Sequence, residues 1–378
     1  MKNRQLGLMA IAAGVSVANV YYSQPILSAI ADDIGISELE SGRIAMCSQL
    51  GYGLAMFFVL PLGDSVDRKR LITTLLLLLT VFLSLLQVVD QLWWIYVCMF
   101  MVGVCAVPAQ ILLPMAASLY PESRGKSVGI VFGGVLTGML GSRVLAGWIT
   151  AMAGWRMVYL SSAVLVLLTV VLLWIYLQSV PRRFSGSHLS LIRSTLALIV
   201  RHRALREACI LGFFTFGLFC SFWTVFTFHM TDLHYSVEII GLFGALAIGG
   251  TFVAPYFGKL ADRGNTKQSL YITVSLLMLG VLLLHFFPSN LWMLGFAILL
   301  LDIGVQATQI TNFARIYALD DQSHSRLNTV YMTCYFMGAA TGTYVGLASW
   351  SMGEWDGATL QLFVWSLIAL GIVRFTKR

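Results

Sequence analysis

The stretch Gly258-Lys259-Leu260-Ala261-Asp262-Arg263-Gly264-Asn265-Thr266-Lys267 interrupts apolar sequence with a short, glycine-punctuated cluster of one acid and several cations. Earlier in the chain, Pro61-Leu62-Gly63-Asp64-Ser65-Val66-Asp67-Arg68-Lys69-Arg70 repeats the plan, with Asp64 and Asp262 in equivalent places. Each cluster lies between two apolar segments, so the chain reads as two related halves. A tight turn of this kind needs glycine for close packing, an acid that can sit on a helix N-terminus, and cations that hold lipid phosphates or that acid. Asp64 and Arg68 in the first loop, and Gly258, Asp262 and Arg263 in the second, can therefore latch two halves in one state and release them in another. The plainer reading is that the cations only anchor the loops at a membrane surface.

Outward from these loops the sequence is apolar to a degree that excludes water as its main solvent. Of 378 residues 58% are hydrophobic and 11% charged, against roughly 45–50% and about 25% in ordinary globular chains. A helix that crosses a bilayer needs about 20 largely apolar residues. Twelve such segments are expected: 5–30, 42–62, 71–89, 92–119, 126–149, 156–178, 207–230, 237–258, 268–287, 290–317, 327–349 and 357–374. The first has the basic flank of a signal peptide in Lys2 and Arg4, but its apolar run is too long and lacks a small-residue cleavage site. It is read as a retained first helix.

The cations orient the chain. With the N-terminus in the cytoplasm and twelve alternating segments, only Arg43, Arg143 and Arg156 of the 24 Lys and Arg residues fall elsewhere than the cytoplasmic side. This satisfies the positive-inside rule and places both termini in the cytoplasm. The net charge of +7 then expresses topology and contact with anionic lipid. A basic nucleic-acid surface would not be divided among short loops between apolar helices.

Catalytic and metal-binding patterns are missing. The six cysteines, Cys47, Cys98, Cys105, Cys209, Cys220 and Cys334, lie in apolar segments without metal spacing. Gly125-Lys126-Ser127 has Tyr120 where a phosphate loop needs its first glycine. No enzyme activity, cofactor or metal is expected, and the chain by itself shows no means of using ATP.

The long polar interruption at 179–206 carries Pro181, Ser185, Gly186, Ser187 and an arginine run, and divides six segments from six. The loop at 258–267 resembles the G-x-L-A-D-R-x-G signature loop of the major facilitator superfamily, and the loop at 61–70 resembles a looser version, with Ser65 and Asp67 where arginine and glycine are usual. The resemblance extends over the chain and points to the branch of bacterial sugar, nucleoside and drug exporters. It implies an all-α membrane fold of two six-helix bundles, residues 1–178 and 207–378, joined by a basic linker at 179–206. Segment 5 resembles the family's antiporter signature in its glycines but lacks its proline. Gly129, Gly133, Gly134, Gly138, Gly141 and Gly147 there, with Gly338, Gly342 and Gly346 in segment 11, have the spacing that lets helices approach closely, and are expected at the seam between the halves or in simple packing.

The same resemblance implies that segments 1, 4, 7 and 10 line a central cavity. Each carries polar or aromatic groups: Asn19, Tyr22 and Gln24 in segment 1, Gln110 in segment 4, Trp223 in segment 7, and Gln306, Gln309 and Asn312 in segment 10. These are the candidate substrate-binding residues. Asp302, Gln306, Gln309 and Asn312 recur at four, three and three residues, which sets them on one helix face. Interhelical hydrogen bonding is the alternative use of that stripe. A carboxylate at mid-membrane costs at least roughly 2.5–3.5 kcal/mol, so Asp302 is the candidate proton-coupling residue, with Arg143 as a second deep charge that either pairs with it or serves elsewhere. Met99 stands where drug–proton antiporters of the family carry an arginine in segment 4.

The expectation is a monomeric secondary carrier in a bacterial inner membrane, exporting a small organic solute in exchange for protons by alternating access around a midplane site. Uptake or facilitated diffusion of a sugar or nucleoside is the alternative within transport. A receptor or sensor built on a carrier scaffold is the alternative outside it.

Overall fold

A computed structural model describes residues 2–179, 188–246, 266–320 and 323–376. The second signature loop, with Gly258, Asp262 and Arg263, lies outside the described residues, as does the middle of the linker.

The segments fold as helices because an apolar environment leaves each backbone N–H and C=O to be satisfied within the chain. Segment 1 forms α1 (Lys2–Tyr21) and α2 (Leu27–Ile34), separated by a 3-10 turn at Gln24–Ile26. Pro25 causes the break, since it has no N–H to return to the carbonyl one turn earlier. Segment 2 is α3 (Glu38–Phe58), followed by the short α4 (Leu62–Ser65), and segment 3 is α5 (Arg68–Leu85). Segment 4 divides at Pro108 into α6 (Leu92–Cys105) and α7 (Pro108–Leu119). Segments 5 and 6 are α8 (Arg124–Ala153) and α9 (Trp155–Tyr176).

The linker is more ordered than its polar composition suggests, because α10 (His188–Arg201) occupies half of it. The second half continues with α11 (Arg203–Asp232), the described part of segment 8 as α12 (Val237–Leu246), α13 (Thr266–Phe286) and α14 (Leu291–Tyr317). Segments 11 and 12 run together as α15 (His324–Phe375), kinked where Gly353 and Glu354 leave helical geometry.

Among the described residues, eight helices are long and apolar enough to cross a membrane, the 52-residue α15 among them. Segments 2, 3 and 8 fall short of that measure for local reasons. Arg43, Ser48 and Gln49 dilute α3, Arg68, Lys69 and Arg70 open α5, and α12 is only part of its segment. Large apolar side chains such as Val81, Leu168, Trp174 and Leu367 are exposed on the outside, the surface expected of a protein whose solvent there is lipid.

Close packing repeats between the halves. In the first, Gly134 and Gly138 of α8 meet Ala10 and Gly14 of α1, and a Cβ on Gly138 would stand 2.1 Å from the Gly14 carbonyl oxygen. In the second, Gly338 and Gly342 of α15 meet Phe213 and Gly217 of α11, and a Cβ on Gly342 would stand 2.0 Å from the Gly217 oxygen. Helix pairs 1–5 and 7–11 are thus equivalent. Of the two expected roles, seam or simple packing, these glycines take packing: they tie helices within each half, as does Gly346, which faces Ser221. Of the expected set, Gly147 reaches the seam, against Val237 and Gly241 of α12, while Gly129, Gly133 and Gly141 face open space.

The halves meet along α3 with α15 and along α8 with α12. Call the end carrying the turns at 35–37, 233–236 and 353–354 the distal end. From there toward the middle, Trp350 Nε1 donates to Glu38 (2.7 Å), Thr231 to Ser28 (2.9 Å), Thr343 to Gln49 (2.8 Å) and Thr227 to the Gln24 carbonyl (2.7 Å). Deeper still, the rings of Tyr52 and Phe336 meet edge to face at 4.5 Å.

Candidate functional site

The break at Pro25 positions the site. It frees the Gln24 carbonyl, which accepts from Thr227 of the other half, and turns the Gln24 side chain toward α8. There the Gln24 Oε1 accepts from Arg143 Nη2 at 3.0 Å and Nε at 3.3 Å. Arg143 is completely buried. Its guanidinium carbon lies 4.3 Å from the Trp223 ring centroid, 5.3 Å from that of Tyr21 and 5.6 Å from that of Phe219. Contact with ring faces stabilises a desolvated cation by about 2 kcal/mol or more. Glycines at 241 and 244 give it room, since a Cβ on Gly244 would stand 2.6 Å from the Arg143 Cβ.

Asp302 approaches the same centre from the second half, near the midpoint of α14. It is buried and accepts from Gln306 Nε2 at 2.6 Å. Arg143 and Asp302 act on each other electrostatically, yet no ion pair or hydrogen bond joins them. The expectation left pairing open, and the structure shows attraction without contact. Tyr335 lies within electrostatic reach of Asp302 and Tyr21 and stacks on Phe216 at 3.8 Å. An aromatic run thus continues from Trp223 through Phe219 and Phe216 to Tyr335 and Phe336.

The other expected site residues divide. Gln24, Trp223 and Gln306 stand at the centre, and Gln110 reaches its edge by donating to the Tyr52 hydroxyl at 3.4 Å. Asn19 is engaged within the first half, donating to the Val15 carbonyl and accepting from Ser162 of α9 at 2.8 Å. Tyr22 lies beside Ser162 and Tyr159 on that side. Its neighbour Tyr21 faces the centre instead. Along the stripe, Gln309 donates weakly to Met332 Sδ at 3.7 Å, and Asn312 donates to Tyr331 (3.4 Å) while accepting from Arg315. The stripe therefore serves the centre at its Asp302 end and interhelical bonding at the other.

Sequence reading overlooked Tyr52, Phe216, Phe219 and Tyr335 as groups near the centre, and the Gln49–Thr343 bond across the seam. The glycines flanking Tyr52 were a usable signal, because Gly51 packs on the Phe100 backbone and Gly53 on Phe336, which confines α3 on both sides.

The first signature loop is built into its own half. Arg68 is buried, donating Nε to the Gly63 carbonyl at 2.9 Å and Nη1 to Ser118 of α7 at 3.5 Å. Asp64 belongs to α4; nothing is described of its side chain. Asp67, which stands where the family usually has glycine, caps α5 by accepting from the Arg70 N–H (2.9 Å), and also accepts from Ser179 beyond α9. Partial burial favours its neutral form, but the Ser179 hydroxyl and the Arg70 N–H outweigh that and hold the carboxyl below its ordinary value. A groove of about 700 Å³ between α5 and α9, from Arg70 and Trp174 to Leu77 and Val170, faces lipid and lies apart from the centre.

The comparisons agree with this architecture. The chain is 35% identical to the putative uncharacterized transporter YgaY of Escherichia coli K12, over 95% of this chain and 94% of that one. It is 28% identical to the probable transporter SCO4007 of Streptomyces coelicolor, over 96% and 85%. The crystal structure of the nucleoside transporter NupG has the same fold, with a TM-score of 0.80 at 13% identity over the whole of both chains. The profile of the Major Facilitator Superfamily matches residues 9–343. With twelve helical segments in two equivalent halves, and charged groups from both halves at the middle, the chain belongs to the Major Facilitator Superfamily and is a transporter of small molecules, not an enzyme.

Proposed function

We propose that this transporter exports a small organic solute from a bacterial cell in exchange for protons, with Asp302 as the residue that takes up and releases the proton. The observation that carries this reading is the approach of Arg143 and Asp302 from opposite halves without a direct bond. Movement of one half against the other changes the field of the guanidinium at the carboxylate, and so the affinity of Asp302 for a proton. Alternating access supplies that movement. Residues 1–178 and 207–378 rock as bodies, and 179–206 links them. The glycine pattern of α8 supports exchange. The cation distribution supports an inner-membrane location with both termini cytoplasmic and contact with anionic lipid; a single chain is the working unit in this reading.

Asp64 and Arg68, with Gly258, Asp262 and Arg263, form the loops that bias the two states in this reading. Uptake or facilitated diffusion of a sugar or nucleoside draws support from the amides Gln24, Gln110 and Gln306, which suit hydroxyl-rich solutes.

Proteoliposomes with an imposed proton gradient test the coupling, using labelled aromatic acids, sugars and nucleosides as probes. Asp302→Asn is expected to abolish uphill movement and to retain exchange of the same solute down its gradient. Wild-type uphill transport by well-folded Asp302→Asn protein would sink the proposal.

A further inference from the structure

The centre holds more hydrogen-bond donors than it uses. Among the described residues, Arg143 Nη1, Trp223 Nε1 and Gln24 Nε2 have no partner, and all three side chains are 0% exposed. They are neighbours. Arg143 grips the Oε1 of Gln24, which holds the Nε2 of that amide close by, and the Trp223 ring lies 4.3 Å from the guanidinium carbon. A buried donor left without an acceptor costs about 1–3 kcal/mol. Three of them, one carrying a full positive charge, form a place prepared for an acceptor that the described residues do not supply. Asp302 does not fill it: it accepts from Gln306, and the acceptor on Arg143 among the described residues is Gln24.

We propose that the solute is an aromatic organic acid, whose carboxylate accepts from Arg143 Nη1, Trp223 Nε1 and Gln24 Nε2. This rests on the centre being the solute site. A carboxylate is acceptor-only and negative, matching a donor-only, positive cluster. A sugar or nucleoside brings its own hydroxyl donors into a place already rich in them, and an amine meets the guanidinium as a like charge. The body of the acid extends along Phe219 and Phe216 toward Tyr335, whose stacked and edge-on rings suit a flat apolar group. The polar end then bridges Arg143 and Gln24 of the first half and Trp223 of the second, and the apolar end lies on the second, so that the bound solute touches both halves.

Purified full-length protein in detergent, without any gradient, provides the test. Benzoate and 1-naphthoate are compared with benzamide, 1-naphthamide and benzylamine by melting temperature and tryptophan fluorescence, with uridine and glucose as further probes. Binding to the folded state raises its apparent stability. The acids are expected to bind roughly tenfold to a hundredfold more tightly than their amides, the range of a charge-assisted hydrogen bond. Trp223→Phe keeps the ring and removes the donor, and should weaken the acids roughly tenfold and the amides distinctly less, since a bond to a neutral carbonyl is weaker than one to a carboxylate. Arg143→Gln should erase the preference for acids. Amides or benzylamine binding as tightly as the acids would overturn the inference, as would acids insensitive to Trp223→Phe, or no acid binding at all. Acid binding that persists while coupling through Asp302 fails would uphold the inference and remove only the proton reading. Uphill movement of another solute with no acid binding would do the reverse.

Discussion

Two arginines that the charge rule leaves off the cytoplasmic side, Arg143 and Arg156, receive opposite treatment. Arg156, at the start of α9, donates to Asp33 and to Asp90 at 2.6 Å, lies against the Trp155 ring at 4.4 Å and keeps partial contact with solvent. Trp155 Nε1 also donates to Asp33 at 2.9 Å. Two carboxylates from different turns thus share one cation and strap the distal end of the first half. Arg143 has a single amide acceptor, three aromatic rings and a spare Nη1, all out of solvent. Partly solvated and fully paired, a charge serves structure. Buried and under-paired, it persists where a ligand or a proton completes it.

The largest effect expected on this contrast is from Arg143→Gln. Acid binding and solute transport should fall on the order of a hundredfold, the scale of losing one partner of a buried charge pair, with the protein still inserted and monodisperse. Equal loss from Arg156→Gln, read in the same vesicle assay, would erase the distinction. Next comes Arg143→Lys. A lysine keeps the charge but lacks the planar fork that reaches Gln24 and a ligand together, so about a tenfold loss of affinity is expected in the binding titration, and full retention would show that charge alone matters.

Arg156→Gln should lower stability by about 0.5–1 kcal/mol, visible in the melting temperature at low salt and reduced at high salt, with transport nearly unchanged. The smallest effect concerns Glu38, just outside the second apolar segment, where closure sets it against Trp350. Burial raises its proton affinity above the ordinary carboxyl value; the Trp350 N–H opposes this, and the carboxylates Asp232, Glu354 and Asp32 add to the rise. Closure therefore binds protons, and falling pH through that raised value favours the closed distal end. Spin labels at Ser37→Cys and Ser351→Cys, in a cysteine-free background, should show a greater short-distance population at about pH 5 than at about pH 8. Glu38→Gln, which mimics the neutral acid, should remove the dependence.

The helical segments, their number and the kinship of the halves were legible in the sequence because the bilayer acts on each helix almost independently. A run of some twenty apolar residues is stable there whatever it packs against. The breaks at Pro25 and Pro108 depend only on a missing N–H, yet segments 5–30 and 92–119 were each expected as one continuous helix. Gln24, Trp223, Arg143 and Asp302 were found on the same ground, since polar and charged groups in such runs need a reason to be there.

Rotation of each helix about its axis was not legible. Tyr21 and Tyr22 are adjacent and chemically alike, yet one faces Arg143 and the other faces α9. The glycines of α8 and α15 advertised close approach but not which helix approaches, and Asn19 met Ser162 instead of the centre. Neighbouring residues on a helix point about 100° apart, so a small turn exchanges lining for packing without altering composition or hydropathy. The sequence by itself determined what must enter the membrane and which polar groups are costly there; tertiary packing, which sets the rotation of every helix against its neighbours, decided which of those groups meet.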